Sequence, residues 1–94
     1  MNHDEKQYRK AVALRYRAAK NRTPQVTAKG RGLMAEKIIE LARKSGVPVH
    51  QDVDLVQILS RLDVNDEIPP ETYIIVAEIL AWIYRMNQKA ASQE

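Results

Sequence analysis

The strongest apolar pattern in the chain runs from Pro69 to Met86 and predicts a helix around which the rest is built. Pro70 suits the first helical position, where a missing N–H is no loss, and Glu71 sets a negative charge beside the positive end of the helix dipole. Tyr73, Val76, Ala77, Leu80, Ile83 and Tyr84 recur at three- and four-residue steps and so form one apolar stripe. Ile75, Ile79, Trp82 and Met86 keep the same period on roughly the opposite face, leaving a narrow polar strip at Glu71, Glu78 and Arg85. A helix apolar nearly all round is either sandwiched within its domain or offers one face to a partner.

Upstream the period changes. From Lys10 to Arg17, Val12, Leu14 and Tyr16 alternate with Ala11, Ala13 and Arg15, the pattern of a strand. Residues 18–24 form a polar connection. Gln25 to Lys29 is a second short strand with Val26 and Ala28 inward, closed by a strand-to-helix turn at Gly30-Arg31-Gly32. Leu33 to Ser45 is an amphipathic helix with Met34, Ile38, Leu41 and Ala42 inward, stopped by Gly46, and Val47 to Gln51 is a third strand. A connection of that length favours parallel pairing through a right-handed crossover. Asp52 or Asp54 caps a further helix carrying Leu55, Ile58, Leu59 and Leu62 and ending near Asp63, after which residues 64–68 are a loop with room for a short edge strand. The expected fold is a single α/β domain, a small mixed β-sheet of three to four strands surrounded by three to four helices. It spans residues 10–86, with a polar lead-in over 1–9 and a flexible tail over 87–94.

Composition narrows the class. Ninety-four residues allow one modest core, which without phenylalanine must be aliphatic plus tyrosine and Trp82. The absence of cysteine removes disulfide and thiolate chemistry. The apolar runs fall well short of the ~20 residues of a membrane span, so the expectation is a cytoplasmic protein. Charge is divided: residues 1–47 hold 12 Lys or Arg against 4 Asp or Glu, while residues 48–94 hold 3 against 8. Arg15, Arg17, Lys20, Arg22, Lys29 and Arg31 define a basic surface. That surface suits the acidic half of the same fold or an anionic partner, and a small basic nucleic-acid-binding protein is the alternative reading. The usual fingerprints of nucleic-acid recognition are missing, so nucleic acid is not favoured.

Catalytic chemistry finds no footing in the pattern. His3 and His50 are far apart in sequence and lack a serine or carboxylate at telling spacing, so neither a metal site nor a triad is expected. Asp52 with Asp54, and Asp63, Asp66 and Glu67, read as helix caps and loop residues. The paired glycines match neither phosphate-loop fingerprint. The chain reads as no enzyme, with no cofactor and no metal.

Five blocks, Ala11-Val12-Ala13-Leu14-Arg15-Tyr16, Ala28-Lys29-Gly30, Gly46-Val47-Pro48-Val49, Asp66-Glu67-Ile68-Pro69 and Tyr73 to Trp82, resemble in order and spacing the cytoplasmic domain of the FlhB family. FlhB is a flagellar type III export-gate protein, and YscU and SpaS are its injectisome relatives. The resemblance implies a protein-interaction module of the export apparatus, recruited to the membrane export gate. Its implied partners are an FlhA-like cytoplasmic domain, the FlhB membrane part, hook- or rod-type export substrates and the hook-length control protein. The family's membrane domain is absent from this chain, which therefore reads as a free-standing homologue. The family's self-cleaving Asn-Pro-Thr-His motif falls on Lys6, Gln7, Tyr8 and Arg9, which supply no asparagine nucleophile. The family's hydrophobic substrate-docking patch falls on Thr23, Pro24, Ala77 and Leu80, with threonine standing where the family has a small apolar residue.

Overall fold

Two alternating segments meet first. In a computed structural model that describes residues 9–16 and 23–92, with side chains up to Met86, β1 (Lys10–Arg15) and β2 (Gln25–Arg31) are followed by α1 (Leu33–Lys44), α2 (Val53–Leu59) and α3 (Pro70–Ser92). The strands pair antiparallel from Lys10 opposite Arg31 to Ala13 opposite Ala28, and a bulge then brings Leu14 opposite Val26. Because side chains alternate across a strand, this register sorts the sheet into two unlike faces. Ala11, Ala13, Ala28 and Gly30 share one face. Val12, Leu14 and, past the bulge, Val26 share the other.

Helix α1 lies across both strands on the small-residue face. Small residues let the helix sit close, and Ala35 is fully enclosed there while Ile38, Ile39 and Ala42 are half-buried. Met34 and Leu41, expected inward, are 55% and 66% exposed. The turn residue Gly32, at φ 62, explains the rotation. Its N–H donates to the Arg9 carbonyl at 2.8 Å and its own carbonyl accepts from Glu36, which fixes the angle at which α1 leaves the sheet. The helix ends in a Schellman motif: Val47 N–H donates to Ala42 O and Gly46 N–H to Arg43 O, with Gly46 at φ 73.

The expected third strand at Val47 to Gln51 is not formed; these residues are exposed and irregular. Val47 is used by the cap of α1, Pro48 has no N–H, and Asp52 caps α2 by accepting from Leu55 N–H at 3.0 Å. The short remainder cannot support a ladder, and the expected parallel crossover disappears with it. Instead, residues 65–68 pair along the far side of β2. Asn65 N–H donates to Val26 O, Val26 N–H to Asp66 O and Ile68 N–H to Pro24 O, around an isolated bridge between Gln25 and Glu67. Among the described residues the sheet is therefore small and antiparallel rather than mixed, with two strands where three to four are expected, and three helices pack on it.

The aliphatic face of the sheet receives the other two helices. Leu55 and Leu59 of α2, Ile68 and Val76 of α3 form the buried cluster, and Val12, Leu14, Leu62, Tyr73, Ile79 and Leu80 pack against it. The layers run α1, sheet, then α2 with α3. Helix α3 continues to Ser92, past the expected end at Met86.

Candidate docking surface

The site is set by how α3 is seated. Pro69 accepts backbone bonds from Thr72 and Tyr73, so the helix starts directly from the segment paired with β2. Thr72 and Val76 are buried, Tyr73, Ile79, Leu80 and Ile83 are half-buried, and this stripe faces the core. A hydrogen bond to Tyr16 raises the Tyr73 phenol above its ordinary ionisation range, with desolvation and the charge of Tyr16 acting in the same direction.

The residues assigned by sequence to a docking patch are placed unequally. Ala77 is half-buried at the border of the core-facing stripe, and Leu80 is half-buried and packs on the core. Thr23 is half-buried, whereas Pro24 is fully enclosed and presents no side chain to solvent. The two parts are linked through Ile68: it donates to the Pro24 carbonyl at 3.1 Å and shares the buried cluster with Val76, one position before Ala77. The backbone of Pro24 is thus tied through Ile68 to the cluster that holds Val76.

The second stripe of α3, read from periodicity, lies outside the residues that the family resemblance assigns to the patch. Ile75, Trp82 and Met86 are 43%, 53% and 49% exposed, and Ile74, on another side of the helix, is 65% exposed. An apolar row of this kind, partly covering and partly leaving the core, is the feature that distinguishes α3 from a plain core helix. Its signal was the period itself. What periodicity could not supply was where the covered face would fall: Ile79 of the second stripe packs on the core, and Tyr84 of the first is 63% exposed.

Of the basic residues, Arg15, Lys29 and Arg31 are exposed, while Arg17, Lys20 and Arg22 lie outside the described residues. Lys29 Nζ donates to the Ser60 carbonyl at 3.4 Å and stands 3.8 Å from Asp63. At the cleavage-motif positions, Lys6, Gln7 and Tyr8 lie outside the described residues, and Arg9 is exposed. Among the described residues no cluster of His, Asp or Glu could hold a metal ion, and no helix is long and apolar enough to cross a membrane.

Comparison with known proteins agrees with the geometry. The model of the FlhB HrpN YscU SpaS Family matches residues 8–83. The chain is 42% identical over 86 residues to the uncharacterized protein YlqH of Bacillus subtilis, covering 92% of each. It is 39% identical over 80 residues to the flagellar biosynthetic protein FlhB of Aquifex aeolicus, covering 84% of this chain and 23% of that one. The chain thus spans less than a quarter of that FlhB relative, though nearly all of YlqH. Among solved structures, the PscU C-terminal domain superposes with a TM-score of 0.73 at 32% identity, covering 79% of this chain and 95% of that one. The native SpaS C-terminal domain shares the fold, with a TM-score of 0.82 at 18% identity over 88% of this chain and 97% of its own. The match over most of the chain, together with the shared fold, establishes that this chain belongs to the FlhB HrpN YscU SpaS family.

Proposed function

We propose that this chain is a non-catalytic interaction module of a type III export apparatus, in which α3 receives export substrates or gate components. Family membership supports the export role. The observation that carries the docking surface is the seating of α3: Ala77 and Leu80 are half-buried at the border of a helix that still exposes Ile75, Trp82 and Met86. A helix buried on one side and apolar on its flanks accepts a partner without exposing the core of its own domain. Candidate partners are an FlhA-like cytoplasmic domain, the membrane part of FlhB, hook- or rod-type substrates and the hook-length control protein, met on the cytoplasmic side of the gate. Lys6-Gln7-Tyr8-Arg9 offers no asparagine to attack the backbone, so the module acts without self-cleavage.

The test is Ala77→Asp, measured for stability and for capture of purified gate and hook proteins. A charge at a half-buried border can reach solvent, so the domain stays folded, with a loss of about 1 kcal/mol, while capture is abolished. Full burial would instead make the unpaired carboxylate cost several kcal/mol. A melting temperature lowered by tens of degrees, or unchanged capture, would contradict the assignment.

A further inference from the structure

The hairpin closes its sheet with Lys10 directly opposite Arg31, and Lys29 stands on the same face two pairs further in, opposite Val12. Like charges facing each other on paired strands repel, and among the described residues neither Lys10 nor Arg31 has an ion-pair partner. Lys29 is held over the same place by the Ser60 carbonyl, and its 3.8 Å approach to the 88% exposed carboxylate of Asp63 neutralises little. Between these side chains lies an open depression of about 310 Å³, lined by Lys10, Lys29, Gly30, Arg31 and Ser60.

We infer that this depression recognises the carboxylates of an acidic peptide segment on a protein partner. Its three cations converge on one place, and Arg31 offers a planar fork that matches a carboxylate in two-point fashion. A second surface depression, about 370 Å³, makes the contrast: there Glu36 and Glu40 are interleaved with Arg9, Arg43 and Lys44, and Lys44 pairs with Glu40 at 3.2 Å. A nucleic-acid track requires cations repeated along the phosphate backbone. On β1 the next cation after Lys10 is Arg15, five positions along or roughly 17 Å away at the rise of a strand, with only Ala, Val and Leu between. One cluster at one end of the sheet suits a short run of Asp or Glu. The site is independent of Ala77 and Leu80.

The experiment is fluorescence anisotropy with a labelled Glu-rich peptide, a single-stranded oligonucleotide of equal charge, and inorganic phosphate as competitor, at near-physiological salt. Wild type is expected to bind the peptide more tightly than the oligonucleotide. Lys10→Gln and Arg31→Gln should each weaken peptide binding by about tenfold, the loss of a charge-assisted hydrogen bond. Arg15→Gln should change it by less than about twofold, since an exposed charge beyond a Debye length is screened, and Ala77→Asp should leave it intact. Because each Gln variant relieves a repulsion, its melting temperature should equal or exceed that of wild type, which separates lost binding from lost fold. Equal weakening by Arg15→Gln, tighter binding of the oligonucleotide, or no peptide binding by wild type would overturn the inference.

Discussion

A single added methyl at Gly30 measures how closely α1 sits on the sheet. Gly30 lies within β2, and among the described glycines only Gly32 and Gly46 have positive φ, so alanine meets no backbone strain there. Its Cβ would lie 2.6 Å from Met34 Cγ, 3.0 Å from Met34 Cβ and 3.1 Å from Ile38 Cδ1. The Met34 Cγ can swing aside because that side chain is more than half exposed. The Met34 Cβ cannot, because it moves only with the helix backbone. Helix α1 must therefore recede by a few tenths of an ångström, loosening the seat of the fully enclosed Ala35. Overpacking of this kind costs about 1–3 kcal/mol. The smaller entropy of the unfolded alanine chain returns about 0.4–1 kcal/mol. The net loss of about 1–2 kcal/mol corresponds to a fall of roughly 5–15 °C in Tm for a domain of this size. Circular dichroism melts of wild type, Gly30→Ala, Met34→Ala and the double variant would read it. In the Met34→Ala background the penalty of Gly30→Ala should shrink but persist, since Cγ is gone and Cβ is not. A Gly30→Ala protein as stable as wild type would refute this close seating of α1.

Gly46→Ala should cost about 1–2 kcal/mol, because φ 73 strains an L side chain even though nothing lies within 4 Å; Gly46→Asn should cost less, and urea titration ranks the two. Tyr73→Phe tests the tyrosine pair through pH. The fold raises the Tyr73 phenol above its ordinary value of 10.0, so the stabilisation is fully present below that pH and is lost as pH rises through the raised value. The stability gap between wild type and Tyr73→Phe should therefore narrow in melts carried through pH 10 and above. Purified protein should keep its full mass on prolonged incubation, since residues 6–9 hold no asparagine; mass spectrometry finding a protease-independent cut there would contradict the non-cleaving assignment.

Periodicity carried much of this fold. The alternation of Val12 and Leu14 with Ala11 and Ala13 set the strand and its two faces, and Asp52 or Asp54 marked the start of α2, where Asp52 is the one that caps. What it missed lay in contacts between segments distant in the chain. Val47-Pro48-Val49 has strand composition, yet caps at both ends claim its neighbours. The pairing of residues 65–68 with β2 depends on Asn65 turning at φ 80, and in the sequence it showed only as a loop with room for a short edge strand. Apolar spacing with Ile38, Leu41 and Ala42 points Met34 inward. Across a sheet face of alanines and Gly30, the smaller Ala35 makes the closer fit. At the candidate site, the two stripes of α3 were legible as a pattern, but burial of Pro24 and the position of the covered face are decided by tertiary packing.

The most direct test of the docking role places a photo-crosslinking residue at Ala81, exposed one helical turn beyond Ala77, and a control at the exposed Arg43 on α1, in the native host. Irradiation should join the Ala81 position, and not Arg43, to an export-apparatus component or export substrate. No adduct from Ala81, or the same adducts from both positions, would contradict it.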